Sequence, residues 1–286
     1  MLMEDKSLQS APNVTVISEY AMPGKYKRLL LFVFACWKAN LLGAMEFRLS
    51  FVLTAGMMLI NNVVWIVFWG LYFRRFPVVN GWELTDVMML WAVSAGGFGL
   101  MATLFGNSMR VASLIAGGQL DVYLAQPKPV LLHVLISRMS VSAIGDVAFA
   151  LLVYVFFGNH SLSGLLKFGL ALVIAALLFI FFTLIVNCLA FWLGNTEGLS
   201  FQLFNALLTF TTYPTGIFRG LGKLILYTVV PAGFISYLPI GLLRHLEPVF
   251  LLGAVGVTAL LTAGGIALFY TGLRRYASGN RMGLRS

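Results

Sequence analysis

"LSFVLTAGMMLINNVVWIVFWGL", residues 49–71, decides the class of this chain. It holds no charged residue and is long enough to cross a bilayer as a helix, which needs about 20 apolar residues. It does not alternate, and a barrel strand would be about 10 alternating residues. Its polar content is confined to four side chains, Ser50, Thr54 and the pair Asn61 and Asn62. Within a span, such a pair either lines a pathway or joins helices through hydrogen bonds.

Working outward, similar runs recur at about 86–109, 130–157, 165–193, from 199 to an interruption near Pro214, and 249–273. The chain has 286 residues, 60% hydrophobic and 10% charged, against about 25% charged in a soluble domain. Its mean hydropathy is +0.92. The expected fold class is therefore all-α integral membrane, with about six transmembrane helices. The net charge of +9 belongs to residues flanking the spans, and no nucleic-acid-reading motif accompanies it. Cys36 and Cys188 stand in apolar contexts without metal spacing and read as free thiols.

Residues 1–24 read as a mobile polar cytoplasmic tail, and 274–286 as a basic one. Residues 25–48, "KYKRLLLFVFACWKANLLGAMEFR", are apolar with charges spread along them. They fit an interfacial helix whose basic side chains reach the headgroups; an additional crossing is the alternative. With both termini inside, the cytoplasmic segments hold 13 of the 19 Lys and Arg residues, so charge bias favours N-in and C-in. The transmembrane domain then covers 49–273. Residues 213–245 lie outside and carry Pro214, Pro231 and Pro239, which cut the run into pieces too short to span. These read as a re-entrant segment that must pack on protein, since broken backbone is not tolerated against lipid.

Chemistry is sparse. His133, His160 and His245 lie in different segments and share no ligand pattern. "GIFRGLGKL", from Gly216, fails as a phosphate loop: the glycine spacing is one too long, and Leu224 stands where a hydroxyl should hold magnesium. The small residues Ser94 to Ala102 are expected to permit close helix packing. Asp146 is the one acid well inside a span, with Arg138 eight residues before it, about two turns away on a shared face. An ion-coupling role for Asp146 and a structural bond to a neighbouring helix are both open. No internal repeat marks an inverted-repeat carrier.

The cytoplasmic segment 110–129 contains "IAGGQLDVYLAQPKP" (115–129). Gly117 and Gly118 on one side, and Pro127 and Pro129 on the other, bound a stretch able to form about two helical turns. Leu120, Tyr123 and Leu124 fall on one stripe, with Gln119 and Asp121 off it. A short helix of this kind is either a docking knob or an ordinary interfacial loop.

At these residues the chain resembles a family. "GGQLDVYLAQPKPVLLHVL" is similar to the G-x-L-D-x-x-L-x-x-P signature of ABC-2-type transporter permeases, the membrane subunits of ABC transporters. "SRMSVSAIGDV", "YPTGIFRG" and "VVPAGFISYLP" continue the likeness, which runs from about Lys25 onward. The resemblance implies a six-span permease subunit of an ATP-driven exporter, itself non-catalytic, in the inner membrane. It implies a dimer with an identical or related permease, and a pathway at the dimer interface. It implies a separate cytosolic ATPase that carries ATP and magnesium, so that the chain binds no cofactor directly. The segment Gly118, Gln119, Leu120, Asp121, Tyr123 and Leu124 would dock that ATPase, with the interfacial helix and the turn 194–198 nearby. Pro214, Pro231 and Pro239 would belong to an outer gate. The competing expectations are an ion-coupled secondary transporter or channel using Asp146, and a membrane scaffold with no transport at all.

Overall fold

A computed structural model describes residues 24–276. The expected tails 1–23 and 277–286 lie outside the described residues. Among the described residues the chain is all-helical, with one isolated bridge between Val79 and Trp82 and no strand.

The first helix, α1, is Lys25–Ala44, and a three-residue turn separates it from α2, Arg48–Arg75. Then come α3, Leu84–Leu104, a 3-10 turn at Gly106–Arg110, and the short helices α4 (Val111–Ala116), α5 (Asp121–Leu124) and α6 (Val130–Ile136). They lead into α7, Ser142–Phe157, and α8, Leu162–Cys188, with α9, Ala190–Leu193, as its bent end. After α10 (Glu197–Thr211) come a 3-10 turn (Thr215–Ile217), α11 (Leu221–Thr228), α12 (Ala232–Leu238) and a π-helical turn (Pro239–Arg244). The last helix, α13, is Pro248–Leu273.

Four helices are long and apolar enough to span: α2, α3, α8 with α9, and α13; the bent pair α11 and α12–π raises the number to five. The expected 130–157 run is not one helix. It breaks at 137–141, where Ser137, Ser140 and Ser142 interrupt the apolar sequence, and the Ser140 N–H donates to the Ala102 carbonyl of α3 at 2.8 Å. The freed backbone is thus satisfied by a neighbouring helix, the condition for broken backbone at depth. The expected 86–109 run likewise ends as α-helix at Leu104 and turns 3-10 before Arg110.

The place of these helices does not follow their composition: mean hydropathy is 1.7 for α3, 2.0 for α2, 2.1 for α13 and 3.0 for α8 with α9. The apolar window of α3 is 78% buried within the protein and that of α8 61%, against 6% for α2 and 17% for α13. So α3 and α8 form the centre, and α2 and α13 are peripheral. The small residues of α3 set the packing as expected: a methyl at Gly97 would stand 2.5 Å from the Ala175 Cβ of α8. The α2 backbone crosses α7 as closely, since a methyl at Gly145 would overlap the Ala55 carbonyl oxygen and lie 3.0 Å from the Met58 Cβ.

The Pro-broken segment takes a form the sequence did not indicate in full. Pro214 and Pro231 precede the short helices, as chain breakers do. Pro239 does not break its helix. Residues 232–244 continue as one rod set at 93° to α11, and the ladder widens at Pro239, with the His245 N–H reaching the Ile240 carbonyl at 2.9 Å, five residues back. Widening to π geometry accommodates the proline ring, which an α-turn would press against a preceding carbonyl. The segment packs on α3, α8 and α10.

Candidate functional site: a coupling platform and a buried carboxylate

The stretch after Gly118 forms less helix than its spacing suggests. Gly118 holds φ +68°, a left-handed turn that suits glycine, and residues 117–120 are turn; only Asp121–Leu124 is helical. The expected stripe divides accordingly. Leu120 is fully buried and Tyr123 half-buried, but Leu124, at the helix end, is 42% exposed. Gln119 and Val122 are exposed beside it, and Gly118 and Asp121 are half-buried.

A hydrogen-bond cluster fixes this turn from behind. Asn107 Nδ2 donates to the Val134 carbonyl and to Ser137 Oγ, both at 2.9 Å, with Tyr123 OH next to it at 3.5 Å. Tyr123 OH and Ser137 Oγ are 3.0 Å apart. The Tyr123 ring meets His133 edge-on. Helix α1 is braced on the same surface: Trp37 Nε1 donates to the Leu104 carbonyl at 2.8 Å, Asn40 Nδ2 to Ile136 at 2.9 Å, and Lys128 sits 4.9 Å over the Phe32 ring. From the other side comes the end of the last helix. The Tyr276 hydroxyl is buried; burial first, and then the Asp121 carboxylate, push it above the usual tyrosine value. Helix α4 packs on α9, and Asn187 of α8 accepts the Ala112 N–H at 2.9 Å. The turn 194–198 follows α9 directly. Helices α1 and α5, taken separately from the sequence, thus both pack on α6, and α9, which leads into that turn, packs on α4.

Asn107 and Tyr276 are missing from the sequence expectations. Asn107 had a weak signal, as a polar residue just after an apolar run. Tyr276 had none, because its partner lies 155 residues away in the chain.

Asp146 is 2% exposed and accepts a hydrogen bond from Asn62 Nδ2 at 2.6 Å. The bond joins α7 to α2 across the Gly145 contact. Arg138 takes no part: it lies in the 137–141 connector, exposed, outside α7. The spacing argument that put it on one face with Asp146 assumed a continuous helix and fails at the break. Asn61 is exposed and makes no such bond to Asp146. Beside the Asn62–Asp146 pair, Ser94 of α3 and Thr211 of α10 are joined at 2.7 Å.

At the other end of α3 the structure supplies a clasp. Arg244 Nη1 donates to Asp86 Oδ2 at 2.8 Å, and Nη2 to Glu83 Oε1 at 2.8 Å, with the Gly81 carbonyl also in reach of Nη1 at 3.2 Å. Asp86 also accepts the Glu83 N–H. The end of the π turn is thereby tied to the start of α3. The available signal was charge complementarity on one predicted side: an arginine ending the Pro-broken segment, and two acids beginning a span.

No curated protein and no solved structure matches the chain. A family model described as ABC-2 family transporter protein matches residues 59–279. That region takes in the turn with its Asn107 hydrogen-bond cluster, the buried carboxylate and the clasp, though not α1, and it covers well over half of the sequence. The chain belongs to the ABC-2 family of transporter proteins.

Proposed function

We propose that this chain is the permease subunit of an ATP-driven exporter, working as a dimer with an identical or related permease and driven by a separate cytosolic ATPase. The observation that carries the reading is the platform around α5. An exposed apolar tip, Val122 and Leu124, stands on a turn braced by α1, α6 and the end of α13. A force applied at that tip passes to several helices through short, directional bonds rather than through a floppy loop. The family membership supports the ATPase partner, since such permeases work with one.

In this reading six spans cross: α2, α3, α6–α7 taken together, α8, α10 and α13, with α11 to the π turn re-entering from outside. An even number returns both termini to one side, which the Lys and Arg bias makes the cytoplasm, and the inner membrane is the location that suits such a permease. The exposed apolar faces of α2 and α13 are available to lipid and to the second permease. ATP and magnesium belong to the ATPase, and the permease contributes no catalytic group. The clasp at Arg244, together with Pro214, Pro231 and Pro239, forms the outer gate.

The test is co-purification of the ATPase, with the two exposed tip residues Val122 and Leu124 both replaced by serine. Recovery of the ATPase is expected to fall by about tenfold or more, the equivalent of losing about 1.4 kcal/mol. The permease itself should keep its melting temperature. Undiminished recovery would overturn the docking assignment. The ion-coupled alternative keeps one specific observation, the buried Asp146. It predicts gradient-driven uptake in liposomes that contain no ATPase.

A further inference from the structure

The buried carboxylate lines a cavity. A space of about 280 Å³ lies between α2, α3, α7 and α10, with Asn62, Trp65, Trp91, Asp146, Thr212 and Tyr213 on its walls. That size suits a headgroup or a small aromatic cation, at the lower end of ligand sites. Asn61 and Trp65 line the space and are also exposed on the outer face of α2, so its mouth opens on the lipid-facing side.

The charges in the cavity are unbalanced. One oxygen of Asp146 accepts from Asn62, while the other, Oδ2, is buried without a partner among the described residues. The two salt bridges of Arg244 lie at the far end of α3, away from this carboxylate. None of the residues lining the cavity is basic. A carboxylate at this depth is costly unless it meets a proton or a cation. Beside it the rings of Trp65 and Trp91 are stacked, with centroids 5.0 Å apart and planes at 21°, and indole faces attract organic cations. The Trp91 Nε1 is likewise buried without a partner among the described residues, a donor waiting for an oxygen next to the cation.

We propose that this chamber is a substrate subsite for the ammonium head of an amphiphilic organic cation, held between the Asp146 carboxylate and the Trp65–Trp91 pair. The inference rests on the permease reading and names its substrate class. An anionic head would face a carboxylate with no basic residue to offset it, and a neutral head would leave Asp146 unpaired. The apolar tail lies outward, along the exposed face of α2. The Trp91 N–H selects heads that carry an ester, ether or hydroxyl oxygen near the nitrogen.

The experiment uses the full chain in lipid nanodiscs with tritiated phenyltrimethylammonium as probe, and benzenesulfonate as the anion of similar size. Saturable binding is expected, uncompeted by benzenesulfonate. Asp146→Asn should weaken it about tenfold or more, and Trp65→Ala about fivefold, with Trp65→Phe close to wild type. If Asp146→Asn fails to fold on size exclusion, the Trp65 pair carries the test, because that side chain is partly exposed and its removal leaves the fold in place. Absence of saturable binding, equal competition by benzenesulfonate, or unchanged binding in a folded Asp146→Asn or in Trp65→Ala overturns the proposal. ATPase co-purification from the same preparations separates the two readings. Retained ATPase with no cation binding sinks the subsite alone, and retained cation binding with no ATPase sinks the ABC permease reading alone.

Discussion

Replacing Gly145 with alanine should unseat α2, while the same change at Gly56 should not. Both glycines are helical, and the two helices that carry them cross at this point. A methyl at Gly145 would overlap the Ala55 carbonyl oxygen and come within 3.0 Å of the Met58 Cβ and 3.1 Å of the Leu59 N. None of these atoms can swing aside, because all belong to the α2 backbone or sit directly on it. Helix α2 must therefore back away from α7. Overpacking of this kind costs about 1–3 kcal/mol. The retreat also stretches the 2.6 Å Asn62–Asp146 bond, worth about 0.6 kcal/mol on average for an interhelical bond in a membrane. Against this stands about 1 kcal/mol gained from alanine's helix propensity. The net loss is about 0.6–2.6 kcal/mol. At Gly56 nothing lies within 4 Å of the added methyl, so only the propensity gain remains. The two variants should differ by about 2 kcal/mol or more, which is about 6 °C in melting temperature for a chain of this size. The assay is thermal unfolding in nanodiscs followed by near-UV circular dichroism, with crosslinking between cysteines placed on α2 and α7. Equal melting temperatures and undiminished crosslinking would refute the close crossing of these helices.

Other perturbations probe the remaining sites. Arg244→Gln removes both charge-assisted bonds to Glu83 and Asp86, leaving the buried Asp86 short of a partner, and should cost about 2 kcal/mol. Faster proteolysis between 213 and 247 would report it, and an unchanged cleavage rate would rule the clasp out as a tether. Asn107→Ala withdraws the bonds behind Tyr123. It should lower ATPase recovery several-fold without a large change in melting temperature, and full recovery would show that the bracing is dispensable. Asp146→Asn in ATPase-free liposomes discriminates the ion-coupled alternative: we expect no gradient-driven uptake in wild type or variant, and wild-type uptake abolished by the substitution would reverse the reading.

Much of the architecture was legible because the bilayer imposes a length on any apolar run that crosses it. Residues 49–71, 165–193 and 249–273 are helices for that reason alone: the first and last each fall within one observed helix, and the second covers most of α8 together with α9. Breaks were less legible. The interruption at 137–141 depends on the Ala102 carbonyl being present to take the Ser140 N–H, and composition cannot show that. Pro239 looked like a stop but sits within a continuous rod, because a wider turn costs less than a break where α3 and α8 already hold the segment. Placing Arg138 and Asp146 on one face followed from correct helical arithmetic applied across a helix that does not exist.

By itself, the sequence determined that this chain belongs in a membrane as a helical bundle, and it picked out the short segment after Gly118 and the lone acid Asp146. Those conclusions rest on transfer energy and on local spacing, which are properties of contiguous residues. Only the tertiary structure decided that α3 and α8 are central while α2 and α13, both more apolar than α3, are peripheral. It also decided that Asp146 answers to Asn62 rather than to Arg138, and that Arg244 clasps acids 158 and 161 residues away. The physical reason is that lipid tails reward every apolar face alike. The bundle order is then chosen by close backbone approach and by a few long-range hydrogen bonds, and these exist only once the helices have met.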